Sequence, residues 1–288
     1  MTTLTAPRNG ILPFAPGTRL HGEIITWAAA GVAIRHRDLV TALRDCDLDD
    51  GVARELAPRH AFTRACKKLA RRRIIRQVAE DDTHLRFQFT AEKKEADHFI
   101  YELETLLTLE KATGRVTCDL PGLAALAQEH LDACIEARTG GDVTRIVQRL
   151  FERQADLFPI RDQGGAYFVP QEHLDFLDRV QAFLGRLNGK MNRFPVPAGT
   201  AHGDRSVREA VAAGLAGLIA EHEAAIAGFG EDTRPATLER AAERIRLTRH
   251  KIEAYAAYLA EEREHLERDL ADASGKLRAK VEALAPCG

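Results

Sequence analysis

PRHAFTRACKKLARRRIIR, residues 58–76, carries eight Lys/Arg and no acidic residue. Pro58 suits the first turn of a helix, where its missing N–H is no loss. The spacing predicts a helix over about 58–72, with Phe62, Ala65, Cys66 and Leu69 on one face. Arg59, Thr63, Arg64, Lys67 and Arg71 fall on the opposite face, with Lys68 and Arg72 beside them. The apolar face can pack while the cationic face meets solvent. Arg71–Arg73 also closes the helix, where cations favourably meet the negative end of its dipole.

The flanks of this helix suggest its setting. Upstream lie an apolar stretch at 22–30, read as a first helix, a short β-prone piece at 32–34, and a helix over 37–46. CDLDDG (46–51) is a turn. Downstream, 74–78 and 85–89 read as two strands joined by AEDDTH (79–84). Helix, short strand, helix, helix, hairpin is the order of a winged helix-turn-helix, in which the basic helix enters the major groove. The acidic hairpin tip is unsuited to phosphate contact. Phe99, Tyr101, Leu103, Leu107 and Leu109 then recur largely at alternate positions, as in a half-buried strand. A helix over 95–110 is the alternative. KATG (111–114) supplies a turn from which 115–118 can pair back.

The rest of the chain reads as two further segments. Helices fit 121–137 and 142–154, broken at Gly140-Gly141. DLFPIRDQGGAYFVP (156–170) reads as a hairpin, a helix follows over 171–187, and RFPVPA (193–198) suits an edge strand. Tyr167 and Phe168 read as core packing ahead of base stacking. Ser206 and Glu209 form a capping box for a helix reaching about Gly228. Pro235 opens a final helix to about Leu284. Leu238, Ala241, Ile245, Thr248, Ile252, Tyr255, Leu259, Glu262 and Leu266 follow heptad steps along it. After Leu266 the steps shift at Leu270, Ala273, Leu277 and Val281, a stutter. An unbroken helix of that length would outrun its predecessor and leave part of the seam for a partner. Ile252, Leu259, Leu266, Leu270 and Leu277 are therefore the expected oligomerisation residues.

Composition sets the frame. Of 288 residues, 45% are hydrophobic and 29% charged, enough apolar material for a core. Residues 1–80 hold 14 Lys/Arg against 8 Asp/Glu, a net of +6, so the remainder carries −8 of the total −2. A basic head on an acidic body is expected where one end meets a polyanion. Cys46, Cys66, Cys118, Cys134 and Cys287 show no CxxC spacing and read as free thiols in a reducing, cytoplasmic setting. The N-terminus lacks the pattern of a signal peptide, and no window holds 18 apolar residues, so no membrane span is expected.

Motifs for chemistry are missing from the sequence. Gly164-Gly165 lacks a GxGxxG frame, and no GxxxxGK[ST], GxSxG or HExxH occurs. Neighbours in EHE (221–223) point apart on a helix, so His222 reads as a surface or core histidine. His98, His130, His173 and His250 have no acidic partner in helical register. No catalytic residue, metal or cofactor is expected, although residues distant in sequence can converge.

KATGRV (111–116) and GGAYFVP (164–170), with the basic segment and the long final helix, resemble uncharacterised proteins encoded by phages, prophages and plasmids. That resemblance transfers no activity. Two-winged-helix plasmid replication initiators are a second comparison. They carry strongly basic helices in both units, whereas DVTRIVQRLFERQ (142–154) is only mildly basic.

The expected chain is α+β and predominantly helical. It comprises an N-terminal arm (1–19), a winged helix with an extended sheet (20–118), a second winged-helix-like unit (119–200) and a helical hairpin or coiled coil (201–288). The expected function is non-enzymatic nucleic-acid binding, with DNA foremost, through Arg59, Thr63, Arg64, Lys67, Lys68, Arg71 and Arg72. A homo-oligomer or a helical protein partner is expected at the final helix. The alternative is a scaffold whose winged helices and coiled coil bind proteins. An enzyme assembled from dispersed residues ranks third.

Overall fold

The computed structural model describes residues 18–70, 73–95, 97–161, 163–260 and 262–284. The chain is α+β, 55% helical with 24% strand. In order, the elements are β1 (Leu20–Ala28), β2 (Ala33–Arg35), α1 (His36–Asp45), α2 (Pro58–Lys68), β3 (Arg73–Glu80), β4 (His84–Glu95), β5 (His98–Glu110) and β6 (Val116–Thr117). There follow α3 (Pro121–Glu136), β7 (Ala137–Thr139), α4 (Gly140–Gln154), β8 (Phe158–Pro159), β9 (Tyr167–Pro170), α5 (Leu174–Arg186) and β10 (Lys190–Pro197). The chain closes with α6 (Ala201–Ala227), α7 (Pro235–Ala254), the short α8 (Ala256–Leu259) and α9 (Glu262–Leu284).

Among the described residues, contacts group these elements into two units that interleave in sequence: 28–150 with 179–189, and 18–27 with 151–178 and 190–284. This differs from the consecutive segments expected. The reason is visible in α3, which packs on α2 and shares its core.

In the first of these units, β3, β4, β5 and β6 form an antiparallel sheet in that order. Phe62, Ala65 and Cys66 of α2 meet Leu85, Phe87, Phe89, Leu107 and Leu109 of the sheet, and α3 adds Ala127 and Leu131. The strand reading of β5 holds, and 95–110 is not a helix. β2 does not join the hairpin. It pairs with β7, a strand the sequence reading missed, with Ile34 opposite Arg138. Gly140 ends that ribbon where a side chain cannot fit, since a Cβ there would lie 1.9 Å from the Ala29 carbonyl oxygen.

In the other unit the sheet order is β10-β1-β9-β8. The stretch expected as a first helix is instead β1. Trp27 stacks on Tyr167 at 5.0 Å, and Ile25 is fully buried. Gly22 makes close pairing with β9 possible, because a Cβ at this position would lie 2.0 Å from the Val169 carbonyl oxygen. β10 is the edge strand that its prolines suggested. Phe168 is fully buried, as a core residue should be.

The C-terminal helices depart most from expectation. α6 starts five residues before Ser206, and Thr200 is its N-cap, accepting from the Gly203 N–H at 3.2 Å. The long final helix is broken: Ala260 takes a left-handed φ of 43°, and α9 doubles back along α6 and α7. Lys276 of α9 ion-pairs with Glu223 of α6, and Lys280 donates to the Phe229 carbonyl at 3.0 Å, so α9 runs parallel to α6. The result is a three-helix bundle. Ile252, Leu259, Leu266, Leu270 and Leu277, expected to oligomerise, lie at 5% exposure or less inside it. The seam is covered by the chain itself, because folding back hides it without a second subunit. α6 is long and apolar enough to cross a membrane by length and composition. Its Val207, Val211, Leu215 and Ile219 instead face the bundle core.

Candidate nucleic-acid interface

The cationic face of α2 arises as its sequence period requires, but tertiary structure divides its members. Arg59 reaches back to Glu80 at 3.4 Å. The Thr63 hydroxyl donates to the Arg59 carbonyl at 2.9 Å, one turn earlier. Arg64 is spent on Asp142 of α4: Nη1 donates to Oδ2 at 2.9 Å and Nη2 to Oδ1 at 2.6 Å. Asp142 Oδ2 also accepts from the Thr139 N–H at 2.9 Å and its hydroxyl at 3.0 Å. Burial alone would push the Asp142 carboxyl up, but the bonds from Arg64 and Thr139 outweigh it and bring its pKa down to about 2. The same bond raises the Arg64 pKa above its ordinary value.

Lys67 and Lys68 are exposed and have no ion pair or hydrogen bond among the described residues. They share a pocket of about 330 Å³ with Arg64, Arg145 and the Thr139–Asp142 segment at the start of α4. Arg145, exposed and 3.7 Å from Asp142, is a member of this cluster that sequence reasoning missed. Its place beside α2 depends on the β2–β7 ribbon, which no local pattern announces. Arg71 and Arg72 lie outside the described residues.

The hairpin tip between β3 and β4 is satisfied by its own groups. Asp81 accepts from the Thr83 hydroxyl and from the N–H groups of Thr83 and His84, at 2.7–2.9 Å. These bonds, with Arg86 at 3.0 Å, hold its carboxyl well below the usual range. Glu80 binds Lys111 at 2.9 Å. Two of the acids that would repel phosphate are thus already paired.

A separate polar cluster lies in the unit that contains the bundle. The Tyr255 hydroxyl, in a side chain 2% exposed, sits 2.6 Å from Asp156 Oδ2 and 2.8 Å from Glu172 Oε1. His173 Nε2 lies 3.5 Å from Asp156, an acidic partner supplied by folding rather than by helical register. Asp156, Glu172 and His173 each offer a ligand atom, and these lie within 4.8 Å of one another. Lys251 ion-pairs with Asp156, so the protein itself supplies a cation here. Burial would raise the Asp156 carboxyl, but bonds from His173, Lys251 and Tyr255 hold it well below the usual range. His222 is part-buried and bonds Thr248 at 2.8 Å, as a structural histidine would. Cys46 and Cys66 are free and buried, and burial pushes the Cys66 thiol up to about 12, so it behaves as a small apolar side chain.

A family model described as a family of unknown function, DUF6744, matches residues 20–286. The chain belongs to this family. The match spans both units. No curated protein and no solved structure matches it.

Proposed function

We propose that this family member is a non-enzymatic nucleic-acid-binding protein whose contact surface is the C-terminal half of α2 with the start of α4. The observation that carries this reading is the convergence of Lys67, Lys68 and Arg145 on one pocket whose single carboxylate, Asp142, is already saturated by Arg64 and Thr139. Lys67 and Lys68, unpaired among the described residues, and Arg145, held only at 3.7 Å from Asp142, lie beside helix N–H groups and suit a phosphate oxygen. The order β2, α1, α2, β3, β4 supports a winged-helix reading of 33–95, with α2 as recognition helix and the β3–β4 hairpin as wing. Arg64 then acts as a positioning residue, holding α2 against α4, and the phosphate contacts fall to Lys67, Lys68 and Arg145. DNA is the expected ligand.

The test is fluorescence anisotropy with labelled duplex and single-stranded DNA across a salt series. Binding should weaken steeply with salt. Lys67→Glu/Lys68→Glu/Arg145→Glu should abolish it at moderate salt. Replacing the three residues with Ala should flatten the log–log salt slope by about 2–3. No binding at low salt, or an unchanged slope in the variant, would overturn the reading.

A further inference from the structure

β5 carries a large apolar display outside the core. Phe99, Tyr101, Leu103 and Leu106 are 53, 54, 63 and 41% exposed. They share one face of the sheet. Phe99, Tyr101 and Leu103 alternate, and the register shift between Phe89 and Thr90 returns Leu106 to the same side. The other face of β5 turns Thr105, Leu107 and Leu109 into the core. β3 ends its pairing at Ala91, so the distal part of the β4–β5 hairpin projects beyond it as a two-stranded ribbon. Single exposed apolar residues are ordinary, but a contiguous run on a projecting ribbon marks an interaction site.

The edge is open as well. Only Thr108 and Leu109 of β5 pair with β6, so 98–107 has no outer neighbour among the described residues. That row of N–H and C=O groups asks for a strand. No proline or lysine lies in it, and its two acids are already paired within the sheet, Glu102 with Lys93 and Glu104 with Arg73.

We propose that the strand which fills this edge is β5 of a second copy of the chain, paired antiparallel about Tyr101. The sequence of β5 is complementary to itself in that register. Tyr101 faces the partner's Tyr101, Phe99 the partner's Leu103, and Ile100 the partner's Glu102. His98 then lies opposite the partner's Glu104, and no acid faces an acid. Centring instead on Leu103 would set Glu102 against the partner's Glu104, two carboxylates side by side that Lys93 and Arg73 only partly offset. The pairing is isologous, as a two-fold axis requires, and joins β3-β4-β5 of each copy into one continuous sheet. It does not depend on nucleic-acid binding.

Sedimentation velocity of the full chain, from about 1 to 200 µM, tests this, since an association constant shows as a concentration-dependent dimer. A dimer is expected, and Leu103→Lys should weaken it about ten-fold or more by placing a charge on the joined edge. Circular dichroism should stay unchanged, because Leu103 is exposed. Should Leu103→Lys unfold the chain, Tyr101→Cys gives a second reading. Mild oxidation should then link two copies through that residue, because paired strands bring Cα atoms within disulfide range, about 4.4–6.8 Å. Val78→Cys, exposed on β3, should not cross-link. A chain monomeric throughout the range overturns the proposal. So does a dimer indifferent to Leu103→Lys, or cross-linking that is as efficient from Val78→Cys.

Discussion

Arg64 and Asp142 are joined by two hydrogen bonds although 78 positions separate them in the chain. The paired Asp142 side chain is 9% exposed and that of Arg64 30%. This fork of two charged bonds fixes α2 against the start of α4. A residue read from sequence as a nucleic-acid contact is thereby committed to the protein.

Arg64→Ala should destabilise the fold by about 2–3 kcal/mol, because it leaves a nearly buried carboxylate with only Thr139 and the more distant Arg145, at 3.7 Å. Chemical denaturation measures this. In the DNA titration the same variant should lose affinity in proportion to lost structure. Lys67→Ala/Lys68→Ala should keep wild-type stability and lose affinity alone.

The pair also gives the protein an acid limit. Asp142 titrates near about 2 when folded against an ordinary 3.8, so the folded state holds fewer protons than the unfolded one between those values. Its contribution, about 2 kcal/mol, is complete above roughly pH 4 and is lost as the pH falls through about 2. Asp142→Asn should therefore be less stable than wild type at pH 6, with the difference shrinking toward pH 2. Denaturant midpoints across that range are the check. A constant difference would separate Asp142 from the acid transition.

In the bundle, Leu270→Ala and Ile252→Ala should each cost about 2–5 kcal/mol, since both side chains are at most 2% exposed and leave cavities. Neither should alter the sedimentation coefficient at fixed concentration while the chain stays folded. A change in oligomer size in these variants, with β5 intact, would return the seam to the surface.

Tyr255→Phe keeps the ring against Phe158, 5.1 Å between centroids, and deletes the hydroxyl shared by Asp156 and Glu172. Asp156 keeps Lys251, so the loss should be about 1–3 kcal/mol, the range for an unmet buried polar group. Thermal denaturation of this variant should show a lower Tm with the same far-ultraviolet spectrum.

Much of the local structure was legible without coordinates. Pro58 and the period of Phe62, Cys66 and Leu69 placed α2. The alternation from Phe99 to Leu109 placed β5, and the turn at Gly114, whose φ is 72°, placed β6. These signals are local, because a helix or strand writes its own period into its apolar residues. The free lysines of the candidate interface were legible for the same reason, while Arg145 and the fate of Arg64 were not.

What the sequence by itself determined is the period of elements such as α2 and β5, where charge concentrates, and that several faces need cover. Only the tertiary structure decided what covers each face. The heptad seam from Leu238 to Leu277 reads alike whether a partner fills it or α9 folds back at Ala260 to fill it, since burial is indifferent to whose side chain excludes the water. The apolar segment from Gly22 became a strand because β9 offered it a partner edge, a choice made by residues far along the chain. The cationic face of α2 lost Arg64 because folding brought a buried carboxylate within 2.6 Å, and an unpaired charge there would cost more than the bond returns.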